Sequence, residues 1–164
     1  MARAREITGI VPEARFGEAA ASAVATRAEE VFEFADRVLD TGDIEGLHAM
    51  RVATRRLRAA LEVYAPAFPR KAHAAALAEV KALAGDLGVR RDLDVAIKTL
   101  GEIESGFHTA DRPGVEHLIE ALAKRQSAAN ELIAARLTEI ERNELQARLR
   151  DLSEMARGSR RPAE

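Results

Sequence analysis

The chain contains no cysteine, which removes disulfides and thiolate metal sites from consideration. Aromatic residues are scarce, 4% against 47% hydrophobic residues overall. The apolar weight therefore falls on Ala, Leu, Val and Ile, which suits closely packed helices. No apolar run approaches the roughly 20 residues that a helix needs to cross a bilayer. The charged start Met1 to Glu6 is not followed by the apolar core of a secretory leader, so the expected location is the cytoplasm. Strand-like alternation is missing throughout. So are a nucleotide-binding glycine loop, a Gly-x-Ser-x-Gly elbow and any nucleophile set beside a base. Glu102 and Glu104 with Asp111 come closest to an acid pair, but loop acids of this kind are commonplace. His73, His108 and His117 are scattered and never paired as His-x-x-x-His, the spacing that places two ligands on one helix face. A structural or surface role is expected for each, with no bound metal, no cofactor and no enzymatic activity.

At 164 residues the chain suits one compact domain able to bury a sizeable core. The apolar spacing predicts an all-α bundle of five or six helices over residues 16–157, between a flexible lead-in at 1–15 and a loose tail at 158–164. A first helix is predicted from Phe16 to Leu39, and Asp43 reads as the N-cap of a second that Pro66 and Pro69 stop. Gly88 reads as the end of a third helix begun near Arg70, with a fourth from Val89 to Leu100. Gly101 to Gly114 reads as a loop. The helical pattern from Val115 to Arg157 is too long for an ordinary globular helix, which predicts a bend near Ile140 to Asn143. The expected core includes Leu57, Leu61, Leu77, Leu83, Leu87, Val95 and Leu118.

Charge is distributed unevenly. The net charge is −2, which disfavours a general nucleic-acid binder. Yet the window His48 to Lys71 holds Arg51, Arg55, Arg56, Arg58, Arg70 and Lys71 against the single acid Glu62. Segregation of this kind focuses a positive potential on an otherwise acidic molecule. On a helical wheel Arg51, Arg55 and Arg58 lie within about 80° of His48 on one side. Met50, Ala53, Leu57, Ala60, Leu61 and Tyr64 fall on the opposite side, which marks the core face. Arg56 lies about 80° from His48 in the other direction and is the weaker candidate. Like charges at helical spacing repel by a few tenths of a kcal/mol per pair, so folding alone does not ask for this alignment. A merely solvated face, with Arg58 paired to Glu62, is the plainer alternative. Arginine rather than lysine suits an anion, because its planar fork donates paired hydrogen bonds to phosphate or carboxylate oxygens and stays charged.

The run from Leu47 to Leu61, Leu-His-Ala-Met-Arg-Val-Ala-Thr-Arg-Arg-Leu-Arg-Ala-Ala-Leu, resembles the opening motif of the CHAD domain, a family named for its histidines and helices. The run from Lys81 to Val95 resembles that family's second signature. The two stand in the right order at a fitting separation, and the resemblance extends over about residues 16–157. It implies a helical bundle that binds inorganic polyphosphate in a basic cleft, which would place the protein with polyphosphate granules. It implies phosphate contacts for His48, Arg51, Arg55 and Arg58, with Arg56 as a further member, and for Lys81 and Arg91 of the second signature. Asp92 and Asp94 match that signature's acids. They are expected to be structural, placed in the first turns of the fourth helix where carboxylates favour the helix dipole. Family members usually have two similar halves, whereas this chain resembles one; nothing after Val115 repeats the first motif. A homodimer is therefore expected, with two copies of the His48 stripe around a shared cleft.

Three readings follow. The first is a non-enzymatic polyphosphate-binding module. The second is a helical adaptor whose basic stripe docks an acidic protein. The third is a metal-assisted phosphohydrolase using His48 with Asp92 or Asp94. Nucleic acid is disfavoured, because there are few aromatics for stacking.

Overall fold

The computed structural model describes residues 4–104, 106 and 108–158; most of the predicted tail, residues 159–164, lies outside the described residues. Among the described residues five α-helices form the fold, α1 (Phe16–Phe32), α2 (Ile44–Val63), α3 (Arg70–Glu104), α4 (Arg112–Arg142) and α5 (Leu145–Arg157), with a short 3₁₀ turn at Ala65–Ala67. No strand occurs among the described residues. The molecule is all-α, as the apolar spacing requires.

The helices pack in sequence. α1 lies against α2 and α5, α2 against α1 and α3, and α3 against α4. The core draws Val24 from α1, Leu47, Met50, Leu57 and Leu61 from α2, Leu83 and Leu87 from α3, Ile133 from α4, and Leu145, Leu149 and Leu152 from α5. Full burial of each such side chain is worth roughly 1.5–3 kcal/mol. Small alanines on α1 (Ala20, Ala21 and Ala28) let its neighbours approach closely.

Several boundaries differ from the sequence expectation. α1 ends at Phe32. The chain then winds on in tighter turns, with Phe34 N–H donating to Val31 O and Ala35 N–H to Phe32 O, and these turns still deliver Val38 to the core. The apolar pattern continues there although the α-helix does not. Gly88 does not end a helix. The predicted third and fourth helices are one element of 35 residues, because Gly85 and Gly88 keep negative φ and form no left-handed cap. The predicted loop at 101–114 is correspondingly short, since α3 runs to Glu104 and α4 starts at Arg112. The bend expected near Ile140 to Asn143 is present as a break between two helices, where α4 ends at Arg142 with Asn143 as its C-cap and Glu144 adopts a left-handed conformation at φ 52°.

Leu57, Leu61, Leu83 and Leu87 are buried, and Leu77 is half-buried against the core. Val95 and Leu118 are not core residues: they are 45% and 47% exposed. Among the described residues nothing from Val95 to Ala128 is buried.

Candidate polyanion-binding face

α2 begins as the sequence predicts. Asp43 caps it, its Oδ1 accepting the Gly46 N–H at 2.9 Å, and Arg37 holds the other carboxylate oxygen. The Gly46 N–H and then Arg37 keep the Asp43 carboxyl below its ordinary pKa. Gly46 is needed for this fit, since a Cβ there would meet Asp43 Oδ2 at 2.9 Å. The cap fixes where α2 starts and hence which residues turn outward. Leu47, Met50, Ala53, Thr54, Leu57 and Leu61 turn in, and His48, Arg51, Arg55 and Arg58 share the outer stripe that their spacing assigns.

These four differ in exposure. His48 and Arg51 are half-buried; Arg55 and Arg58 are exposed. His48 Nδ1 is shielded and has no partner among the described residues. Burial pushes the His48 pKa down, and Arg91 and Arg51 beside it push the same way against the pull of Glu45. Arg51 and Arg55 have no hydrogen-bond or ion-pair partner among the described residues. Arg58 Nε donates to Glu62 Oε1 at 3.0 Å.

α3 brings its two basic positions to this stripe. Arg91 Nη1 donates to the Ile44 carbonyl at 3.2 Å, in the first turn of α2. Lys81 Nζ meets Glu62 Oε1 at 3.1 Å, in the last turn of α2. The helices run antiparallel, so Arg91 stands beside His48 and Lys81 beside Arg58. Between them lie Gly85 and Gly88, where a Cβ would meet nothing within 4 Å. The spacing i, i+4, i+7 puts Lys81, Gly85 and Gly88 on one stripe of α3. Next to the arginine row, α3 therefore presents bare backbone in open space.

Six of the seven proposed contact residues thus form one face. Arg56 is the seventh and stands apart. It lines a cleft between α1 and α2 together with Arg5, Arg37 and the acids Glu30, Glu33 and Glu45. That surface is mixed in charge and opens on the other flank of α2.

The second signature's acids occupy different surroundings from those expected. Both lie in the interior of α3 rather than in the first turns of a helix, so the dipole argument does not apply to them. Asp92 is exposed. Asp94 is buried, and its Oδ1 accepts from Arg90 Nε at 2.8 Å and from Gln126 Nε2 at 2.6 Å. Arg90, which the sequence reading passed over, is the largest fully buried side chain. It also donates to Asn130 Oδ1, and Asn130 Nδ2 donates to the Leu39 carbonyl at 2.8 Å. This network joins α3, α4 and the segment before α2, and it sets the rotation of α3 that turns Arg91 toward His48. A signal was present in the spacing: Leu83, Leu87, Arg90 and Asp94 continue one stripe at i, i+4, i+7 and i+11, which carries the ion pair into the interior.

His73 stacks on Phe68 and donates to the Leu61 carbonyl at 2.9 Å, joining α3 to α2. His108 and His117 are exposed. Among the described residues no three His, Asp or Glu side chains gather as a metal set, and Asp94 faces α4 rather than His48. No helix among them is long and apolar enough to cross a membrane.

No curated protein and no solved structure matches the chain. The model of one family, the CHAD domain, matches residues 22–164, which include every cation of this face, and the chain belongs to that family.

Proposed function

We propose that this protein binds inorganic polyphosphate, without altering it chemically, through His48, Arg51, Arg55 and Arg58 of α2 with Lys81 and Arg91 of α3. The observation that carries this reading is the uncompensated middle of the row: Arg51 and Arg55 point outward with no acid paired to them among the described residues. Cations left in this state gain from an external anion, and forked guanidinium donors suit phosphate oxygens. From His48 to Arg58 the row is about 15 Å long at 1.5 Å per residue, so a long polyanion can engage it at several points. Bare α3 backbone at Gly85 and Gly88 leaves room for a chain to lie close. Membership of the CHAD family supports the same ligand. Arg56, on the other flank of α2, takes no part. Such a ligand would place the protein with polyphosphate granules in the cytoplasm.

The test is a variant with Arg51, Arg55 and Arg58 all changed to Ala. None of the three belongs to the core, so the fold should persist while binding of long-chain polyphosphate falls by at least about a hundredfold, on the scale of charge-assisted hydrogen bonds. Parent affinity should also drop steeply with salt as counterions are released. A folded variant that binds as tightly as the parent would refute the assignment. Binding of an acidic protein with no response to polyphosphate would favour the adaptor reading instead.

A further inference from the structure

Among the described residues one acid, Glu62, is ion-paired to cations of the face. Glu62 lies one turn beyond Arg58, and a single oxygen, Oε1, accepts from Arg58 Nε at 3.0 Å and from Lys81 Nζ at 3.1 Å. A phosphate oxygen arriving at this end of the row would require the same two donors. The opposite end is different: among the described residues no acid is paired to Arg51 or Arg55, Glu45 near His48 and Asp92 beside Arg91 form no ion pair with the row, and Arg91 spends one donor on a backbone carbonyl. We propose that Glu62 is a resident competitor that occupies the Arg58–Lys81 end of the face, so that a polyanion docks first at Arg91, Arg51 and Arg55 and completes its contacts only by displacing the Glu62 carboxylate. This inference rests on the polyphosphate reading and concerns the regulation of that same site.

Lys81 and Arg58 hold the Glu62 carboxyl below its ordinary pKa, so it is ionised wherever the site would bind an anion. The pairs are solvent-exposed, with side-chain exposures between 40% and 47%. Exposed pairs of this kind are weak and reversible, and a carboxylate so held can be displaced. What displaces it is the tethering of the ligand: a chain already anchored at Arg51 and Arg55 presents its next phosphate at high effective concentration. A short anion satisfied by the open end never meets Glu62. Glu62 thus limits affinity for long chains and leaves that for short ones untouched.

The experiment compares parent and Glu62→Gln protein by titration with long-chain polyphosphate and with tripolyphosphate over a range of salt. Gln keeps the shape and removes the charge at an exposed position in the last turn of α2, and circular dichroism checks that the helices persist. We expect long-chain affinity to rise about threefold to tenfold, the range that two exposed ion pairs allow. The salt dependence should steepen by about one counterion, and tripolyphosphate affinity should stay unchanged. An equal gain for both ligands would mean that Glu62 acts only as a diffuse charge, and no gain for either would mean that it is a surface pair unrelated to the ligand. Each result overturns the proposal while leaving polyphosphate binding intact. If neither protein binds long-chain polyphosphate, the functional reading fails and this inference with it.

Discussion

His48 carries the pH dependence that the site should show. In the folded protein its pKa lies below the ordinary histidine value of 6.5, chiefly through burial and then through Arg91 and Arg51, with Glu45 opposing. Folding therefore favours the neutral ring. Its contribution to stability is full above pH 6.5 and is lost as the pH falls from there through the folded pKa. A bound polyanion acts in the opposite sense, because its charge raises the His48 pKa and binding takes up a proton. Affinity should accordingly strengthen as the pH falls through the bound-state pKa and level off below the free-state one. Polyphosphate titrations between pH 8 and pH 5 should show this rise in the parent and a flatter profile in His48→Gln. An equal rise in both would assign the effect elsewhere. The α2 row itself was legible in the sequence, because helical spacing alone converts positions 48, 51, 55 and 58 into one stripe. The contacts of Glu62 with Lys81 and of Arg91 with Ile44 were not. They depend on the register of α2 against α3, which is set by core packing and not by any local pattern.

At the scale of elements, α3 shows how a strong local signal can be overridden. Gly85 and Gly88 each cost a helix interior about 1 kcal/mol relative to Ala, and reading Gly88 as a stop follows from that cost. The helix continues because its packed stripe does not pause: Val80 and Leu83 enter the core before the pair, Leu87 between its two members, and Arg90, Leu93 and Asp94 are buried after it. Each residue held on both sides of the glycines offsets their cost. α1 errs in the other direction, since its apolar pattern outlasts its α-helical hydrogen bonding. The Asp43 cap and the Asn143–Glu144 break were accessible from sequence because each is a local event. The two glycines supply a prediction. At neither position would an added Cβ meet an atom within 4 Å. Gly85→Ala and Gly88→Ala should therefore each stabilise the fold by about 0.5–1 kcal/mol, read as a shift of the urea midpoint at constant slope. Destabilisation by either would show that the backbone there is strained in a way that its φ does not reveal.

On the scale of the whole molecule, the helices are unequal. α3 and α4 have 35 and 31 residues, against 20 in α2, 17 in α1 and 13 in α5. At 1.5 Å per residue α3 is about 50 Å long and α2 about 30 Å, so the far end of the α3–α4 pair extends past the bundle as a two-helix arm. Helices draw most of their stability from burying an apolar face against other elements. This arm buries no residue from Val95 to Ala128 among those described, and Val95, Ile103 and Leu118 remain 45–47% exposed on it. We propose that a second copy of the chain covers the arm. Paired arms would make a four-helix arrangement with two-fold symmetry, in which each copy covers the same surface of the other. Such a pair would carry two copies of the His48 row. Light scattering on the parent should therefore give the mass of a dimer. Val95→Glu combined with Leu118→Glu should give a folded monomer, because both positions are exposed within a single copy and the charges disturb only what lies against them. A parent that is monomeric at micromolar concentration, or a doubly substituted variant that remains dimeric, would exclude the arm as the interface.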